Sequence, residues 1–177
     1  MTVFIPSGAV VGSVLFTDLV GFTEYNGIVG DDVAAGVLDR QSDLVTHALS
    51  PYPTGRVVKE IGDGLMLAFE SPVEALAAAV GILCCIERAR ADGTFPLAMR
   101  MGMHHGQAIA RGDDLVGQTV NIAARVADLA GPGELLVSDS VVTAHGGHAP
   151  AAALSPIGPA RVKGVDEPIW LHRVTAG

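Results

Sequence analysis

A β-hairpin is predicted for residues 57–69, which read Val57-Val58-Lys59-Glu60-Ile61-Gly62-Asp63-Gly64-Leu65-Met66-Leu67-Ala68-Phe69. Each half is a short apolar run of strand-forming residues, and Gly-Asp-Gly between them is typical of a tight hairpin turn. Strand alternation places Lys59 on the same face as Val57 and Ile61. A lysine in such a strand either has a functional partner or extends from a sheet edge into water. The run therefore predicts two adjacent antiparallel strands with Asp63 at their tip.

The segments around the hairpin alternate between strand and helix patterns. Asp31 is expected to cap a helix that extends to about residue 49, and Ser71-Pro72-Val73-Glu74 is a capping box that opens another. The full set of predicted elements is a strand at 12–17, the helix 31–49, the hairpin, a helix to about 91, a strand within 97–111, a helix 119–129, a strand 134–138, a short helix from 139, a loop at 145–153 and two C-terminal strands around 163–166.

The order strand, helix, hairpin, helix, strand is that of a ferredoxin-like βαββαβ core, here with extra C-terminal strands. We therefore predict an α+β fold, in which a mostly antiparallel sheet carries helices on one face. The chain has 177 residues and shows no repeat or linker. Residues 1–177 are thus expected to form a single domain.

Composition excludes several classes of protein. The net charge of −8, with only 11 Lys and Arg, argues against a general nucleic-acid groove. The longest apolar run, at 75–86, is too short to span a bilayer, and residues 1–9 lack the basic start of a signal peptide. Adjacent Cys84 and Cys85 are not placed to bond each other. These observations indicate a cytoplasmic protein without a membrane segment.

Two aspartates are candidates for a metal site. Asp18 ends the first strand, and the backbone N–H groups of Leu19 to Thr23 in the adjoining turn, among them those of Gly21 and Phe22, can cradle phosphates. Asp63 lies at the hairpin tip. If the two strands are neighbours, both carboxylates project from the same end of the sheet, where oxygen ligands suit Mg²⁺ or Mn²⁺. The alternative is structural, with both aspartates serving only the local turns.

Other polar residues stand in apolar or turn surroundings. Asn121 and Arg125 are four residues apart and project from one face of the predicted helix 119–129. They are functional groups, a buried structural hydrogen-bonding pair or part of an exposed strip. Asp114 and Lys163 lie in predicted turns, where aspartate is common for structural reasons and a lysine is readily solvated. His104 and His105 are adjacent in a strand, so they are expected on opposite faces and not at one metal.

Four motifs resemble those of class III nucleotide cyclases, in the order found in that family and over residues 12 to about 173. They are Val14-Leu15-Phe16-Thr17-Asp18-Leu19-Val20-Gly21-Phe22-Thr23, Lys59-Glu60-Ile61-Gly62-Asp63-Gly64, Asp114-Leu115-Val116-Gly117-Gln118-Thr119-Val120-Asn121-Ile122-Ala123-Ala124-Arg125, and Val162-Lys163-Gly164. The third motif is the most specific of the four.

The resemblance implies a nucleotide site with two divalent metal ions, Mg²⁺ or Mn²⁺. Asp18 and Asp63 would bind the metals. Lys59 and Asp114 would read adenine, the ammonium donating to a ring nitrogen and the carboxylate accepting from the exocyclic amine. Guanine has a carbonyl where adenine has its exocyclic amine, so ATP is expected in preference to GTP.

The remaining motif residues would act on the sugar and phosphates. The resemblance implies that Asn121 orients the ribose, Arg125 stabilises charge at the α-phosphate and Lys163 holds the terminal phosphates. In this family, metal aspartates and base-reading residues come from different sides of a domain interface. Because one chain carries both sets, we expect a homodimer with two equivalent sites.

The expected activity is that of an adenylyl cyclase, which converts ATP to 3′,5′-cyclic AMP and pyrophosphate. One alternative is a catalytically silent nucleotide-binding regulatory module, which the intact set Asp18, Asp63, Asn121 and Arg125 opposes. A guanylyl cyclase is disfavoured by Lys59. A cyclic dinucleotide synthase would carry a Gly-Gly-Asp/Glu-Glu-Phe signature, which the hairpin lacks.

Overall fold

The computed structural model describes residues 8–146 and 152–176 of the chain. Its elements are β1 (Ala9–Leu19), α1 (Phe22–Val29), α2 (Asp31–Leu49), β2 (Gly55–Ile61), β3 (Gly64–Phe69), α3 (Pro72–Ala91), β4 (Met99–Arg111), β5 (Asp114–Val116), α4 (Gln118–Leu129), β6 (Leu135–Ser138), α5 (Asp139–Ala144), β7 (Ala152–Ala160) and β8 (Ile169–Ala176). The predicted hairpin, both long helices and the C-terminal strands are confirmed. Of the predicted loop at 145–153, residues 147–151 lie outside the described residues.

The strands form one sheet in the order β2-β3-β1-β4-β6-β8-β7, and β5 pairs with the far end of β4. The first four strands have the antiparallel order expected of a ferredoxin-like core. β6 is parallel to β4, and β8 and β7 complete the sheet in antiparallel fashion. The predicted α+β class with a mostly antiparallel sheet is therefore confirmed.

Helices cover both faces of the sheet, so the prediction of helices on one face is wrong. On the first face, α2 and α3 pack on a core that includes Leu15, Leu67 and Met101. On the second face, α4 packs through Ala123 against Val14 and its neighbours. This second layer is possible because Gly102 of β4 lets the α4 backbone approach: a Cβ at Gly102 would lie 2.0 Å from the backbone nitrogen of Ala127.

Helix starts differ from the predicted caps. α2 is capped by Gly30, and Asp31 is its first helical residue, where its charge interacts favourably with the helix dipole. At α3, the Ser71 hydroxyl accepts the N–H of Glu74 as expected. The Glu74 carboxylate instead accepts the N–H and hydroxyl of Thr54. The capping box is thus half formed, because the loop before β2 competes for the glutamate.

No helix within the described residues is both long and apolar enough to cross a membrane. Cys84 and Cys85 are both free, as their adjacency on α3 predicts.

Candidate active site

Asp18 and Asp63 meet at one end of the sheet. β1 pairs with β3, with Thr17 opposite Leu65, so the hairpin turn lies beside the last residues of β1. The backbone N–H of Leu19 donates to Oδ2 of Asp63 at 3.1 Å. The structure therefore brings these two carboxylates together, as their positions after neighbouring strands indicated.

The carboxylate of Asp63 is electrostatically unfavourable where it lies. Burial raises the pKa of Asp63, and the neighbouring carboxylate of Asp18 raises it further. Two carboxylates in this relation are stabilised by a proton or by a cation between them. The donor set fits Mg²⁺ or Mn²⁺, which bind through one or two protein carboxylates together with substrate phosphates and water. Within residues 8–146 and 152–176, no cluster of three or more His, Cys, Asp or Glu side chains forms a fuller site.

Arg100 lies beside Asp18 at this end of the sheet, and it was not identified from the sequence. It lies opposite Asp18 in the β1–β4 pairing. Its Nε and Nη2 atoms both lie 2.7 Å from Oδ2 of Asp18. The available signal was a single cation in the apolar stretch 97–101, the same signal that drew attention to Lys59. A guanidinium at this point can bind a phosphate as well as a carboxylate.

A cavity of about 290 Å³ opens beside Asp18 and Arg100. It is lined by Asp18, Val20, Gly21, Arg100, Ala130 and Pro132. The space is polar at one end and lies against the start of α1. It can therefore hold an anionic group next to the carboxylate pair.

The predicted glycine turn is the start of a helix. Gly21 adopts a left-handed conformation, with φ 76°, and caps α1, which begins at Phe22. The N–H groups of Leu19 and Val20 are already used, by Asp63 and by the carbonyl of Ala98. The predicted cradle is therefore narrower than 19–23. The N–H groups that remain available to a phosphate are those of Phe22 and Thr23 in the first turn of α1, because they have no partner inside the helix.

Lys59 and Asp114 form an ion pair. Nζ of Lys59 donates to Oδ2 of Asp114 at 2.8 Å, and each side chain is 40% exposed. The hydrogen bond from Lys59 lowers the pKa of Asp114, and a second bond from the Leu115 N–H lowers it further. The structure thus joins residues that are 55 positions apart and offers one donor and one acceptor to a ligand.

The predicted orientation of Lys59 is partly wrong. A β-bulge lies between Val57 and Lys59, so Val57 pairs with Leu67 but Lys59 pairs with Met66. Lys59 therefore shares a face with Ile61 and not with Val57, since a bulge shifts alternation by one residue. The bulge turns Lys59 toward β5, where Asp114 is found.

Asn121 and Arg125 lie exposed on the outer side of α4. Arg125 pairs with Asp128 at 3.1 Å and is more than half exposed. Among the described residues, no hydrogen bond joins Asn121 or Arg125 directly to Asp18 or Asp63. Arg125 is linked to Asp18 through Asp128, whose backbone carbonyl accepts Nη1 of Arg100, the partner of Asp18, at 3.3 Å. The structure therefore places these α4 side chains toward solvent, available to a second molecule.

Lys163 lies at the other end of the sheet from Asp18. It is exposed, in a turn with Gly164 in the left-handed conformation, between β7 and β8. The first residues of β8 adjoin the carboxyl end of β6, where Ser138 pairs with Leu171. Asp18 instead adjoins the amino end of β4, which runs parallel to β6. One chain thus presents Lys163 and Asp18 at opposite ends.

His104 and His105 point to opposite faces, as predicted. His104 hydrogen-bonds Ser138 at 2.8 Å, and His105 hydrogen-bonds Ser13 at 2.9 Å. Burial, with a smaller effect from His105, lowers the pKa of His104 to about 4. Both rings therefore act as neutral hydrogen-bonding groups inside the fold near pH 7.

Residues 8–173 match the family model of the adenylate and guanylate cyclase catalytic domain. The chain belongs to this family and is a nucleotide cyclase catalytic domain. It is 36% identical over 168 residues to a pH-sensitive adenylate cyclase of Mycobacterium tuberculosis, an alignment that covers 93% of this chain and 41% of that protein. The chain thus spans less than half the length of this curated relative.

Solved structures show the same fold. The adenylyl cyclase CyaB from P. aeruginosa superposes with a TM-score of 0.81 at 22% identity, covering 98% of this chain and 97% of that one. The catalytic core of a rhodopsin-guanylyl cyclase with converted specificity, in complex with ATPαS, superposes with a TM-score of 0.85 at 22% identity, covering 96% and 98%. Both confirm the α+β architecture with helices around a mostly antiparallel sheet.

Proposed function

We propose that this chain is an adenylyl cyclase domain that converts ATP to 3′,5′-cyclic AMP and pyrophosphate at sites shared between two copies of the chain. The observation that carries the proposal is the 2.8 Å pair of Lys59 and Asp114. Adenine offers a ring-nitrogen acceptor next to an amino donor, and this pair offers the matching donor and acceptor. Guanine would place a carbonyl against the Asp114 carboxylate, which is repulsive.

Asp18 and Asp63 are the proposed metal ligands. Divalent ions held there would neutralise the triphosphate and lower the pKa of the ribose 3′-hydroxyl. Arg100 and the first turn of α1 supply further positive potential beside the cavity at Asp18. These groups together explain how a chain with a net charge of −8 can hold a triphosphate.

Asn121, Arg125 and Lys163 are the proposed groups for ribose and phosphates. In the reaction, the 3′-oxygen bonds to the α-phosphorus as the bond to pyrophosphate breaks, and negative charge develops on the phosphate oxygens. A guanidinium fixed near those oxygens lowers the barrier because its field needs no reorganisation. Arg125 has the right charge and an exposed position on α4 for this role.

The positions of these groups support the proposal of a second copy. Asn121 and Arg125 face outward on α4, and Lys163 is at the opposite end of the sheet from Asp18. A symmetric dimer in which α4 of one protomer faces the Asp18 end of its partner would form two equivalent sites. We accordingly propose that residues 1–177 act as one catalytic domain that needs a second copy.

The proposal is tested by incubating the purified chain with Mn²⁺ and ATP, and in parallel with GTP, and measuring cyclic nucleotide and pyrophosphate by chromatography. We expect cyclic AMP well above cyclic GMP. Asp114→Asn should lower the preference for ATP, whereas the matched control Asp113→Asn should keep it. Arg56 donates to the backbone carbonyl of Asp113, and within residues 8–146 and 152–176 the Asp113 side chain makes no hydrogen bond. A folded dimer that yields no cyclic nucleotide would refute the proposal.

A further inference from the structure

Gln41 is a buried amide on an otherwise apolar stripe of α2. The stripe repeats every four residues, as Val37, Gln41 and Val45, and Gln41 is only 2% exposed. A buried amide destabilises a fold unless it is hydrogen-bonded, and a leucine or methionine would fill this position without that requirement. The polar residue therefore needs an explanation beyond packing.

The amide of Gln41 is bonded to the turn that carries Asp63. Its Nε2 donates to the backbone carbonyl of Asp63 at 3.1 Å. The flanking hairpin residues, Ile61 and Gly64, pair with each other in the ladder, so the Asp63 carbonyl belongs to the turn itself. Gln41 thus supplies a partner to a turn carbonyl and fixes the peptide plane that follows Asp63.

The turn is held from three directions. α2 holds the carbonyl of Asp63 through Gln41, and β1 holds its carboxylate through the Leu19 N–H. A Cβ at Gly64 would lie 2.5 Å from the carbonyl oxygen of Thr17, so the strand after the turn is packed directly on β1. These contacts leave the Asp63 carboxylate little freedom to move away from Asp18, although burial and repulsion oppose their proximity.

We infer that Gln41 is a positioning residue for the metal-binding hairpin, holding Asp63 beside Asp18 so that both carboxylates can bind divalent ions. The inference rests on the proposed function, because it assigns metal binding to these aspartates. Gln41 itself does not touch the ions or the nucleotide. It affects how tightly the carboxylate pair binds a cation, and not the rate of the reaction after the cation has bound.

The test is Gln41→Met, which keeps the length and flexibility of the side chain but removes the donor. Mn²⁺ binding is measured by electron paramagnetic resonance with 3′-deoxy-ATP, which lacks the attacking hydroxyl and cannot be cyclised. We expect Mn²⁺ to bind about fivefold more weakly, the effect of one hydrogen bond. The Mn²⁺ concentration for half-maximal activity should rise by the same factor, while kcat at saturating Mn²⁺ stays within about twofold of wild type.

The matched control is Val45→Ala, one turn further along α2. Val45 is fully buried, and its side chain cannot form a hydrogen bond to the hairpin. This variant should therefore lose stability but bind Mn²⁺ as wild type does. Unchanged Mn²⁺ affinity in Gln41→Met would overturn the inference. So would an equal loss of affinity in both variants, which general loosening of α2 would explain. A wild-type chain that forms no cyclic AMP refutes the proposed function separately, since the binding comparison needs no turnover.

Discussion

Replacing Gly102 with alanine tests whether α4 is held against the sheet as the structure shows. A Cβ at this position would lie 2.0 Å from the backbone nitrogen and 2.4 Å from the Cα of Ala127. Ordinary contact begins near 3.4 Å, so α4 would have to retreat by about 1.4 Å. The obstacle is helix backbone, which cannot rotate out of the way as a side chain can.

The expected cost of this overpacking is about 3 kcal/mol in the free energy of unfolding. For a chain of this length, that lowers Tm by roughly 6–12 °C. Urea denaturation and calorimetry measure both quantities. The matched control is Gly36→Ala, an exposed position inside α2 where the added Cβ has nothing within 4 Å other than the adjoining backbone of its own helix. It should raise stability by up to about 1 kcal/mol, because alanine is the better helix former.

The variant should also lose more activity than its loss of stability explains. Arg125 lies two residues before Ala127 on α4, so a retreat of the helix moves it by a similar distance. Misplacement of about 1 Å in a catalytic group can lower a rate about 100-fold. We expect Gly102→Ala to lose about that factor in kcat at a temperature where it is still folded. Wild-type stability in Gly102→Ala would refute the close approach of α4 to β4.

Two further variants probe the charges of the site. Burial and Asp18 raise the pKa of Asp63 in the folded state, so the protonated carboxyl group stabilises the fold fully below its unfolded pKa, and this contribution is lost as the pH rises through the folded pKa. Metal-free Asp63→Asn should therefore have a higher Tm than wild type near neutral pH, and Mn²⁺ should raise the Tm of wild type alone; calorimetry showing equal Mn²⁺ shifts would contradict the proposed ligand. Lys59→Glu should lower kcat/KM for ATP about tenfold to hundredfold by replacing the donor with a like charge beside Asp114. Its Tm should change little, because the pair is 40% exposed, and unchanged ATP kinetics would remove Lys59 from base recognition.

The hairpin at 57–69 and the ferredoxin-like core followed from the sequence because local turn chemistry and strand patterns agree there. The approach of α4 to the second face did not, since it depends on Gly102 meeting a helix that begins 16 residues later. The bulge before Lys59 also escaped detection, because Val57-Val58 fits a regular strand equally well. Tertiary pairing creates both features.

Some residues of the candidate site could also be found from the sequence, and others only from the structure. Asp18 and Asp63 were found because each lies at a predicted turn directly after a predicted strand, and the structure places them together. Arg100 was missed although it stands alone among apolar neighbours, since only the β1–β4 register shows that it faces Asp18. Gln41 was missed because a single glutamine on a helix forms no recognisable sequence pattern. Its proposed role depends on a hydrogen bond to Asp63, which is 22 residues away in the hairpin.

The shared site is tested most directly by mixing two inactive variants, Asp18→Ala and Arg125→Ala. Each variant alone should form cyclic AMP at background levels, because every site in its homodimer lacks one essential group. In an equal mixture, half of the dimers are mixed, and each mixed dimer has one intact site of two. We expect the mixture to recover about one quarter of wild-type activity. A mixture no more active than its components, with exchange of protomers verified by mass spectrometry, would contradict a site shared between two copies.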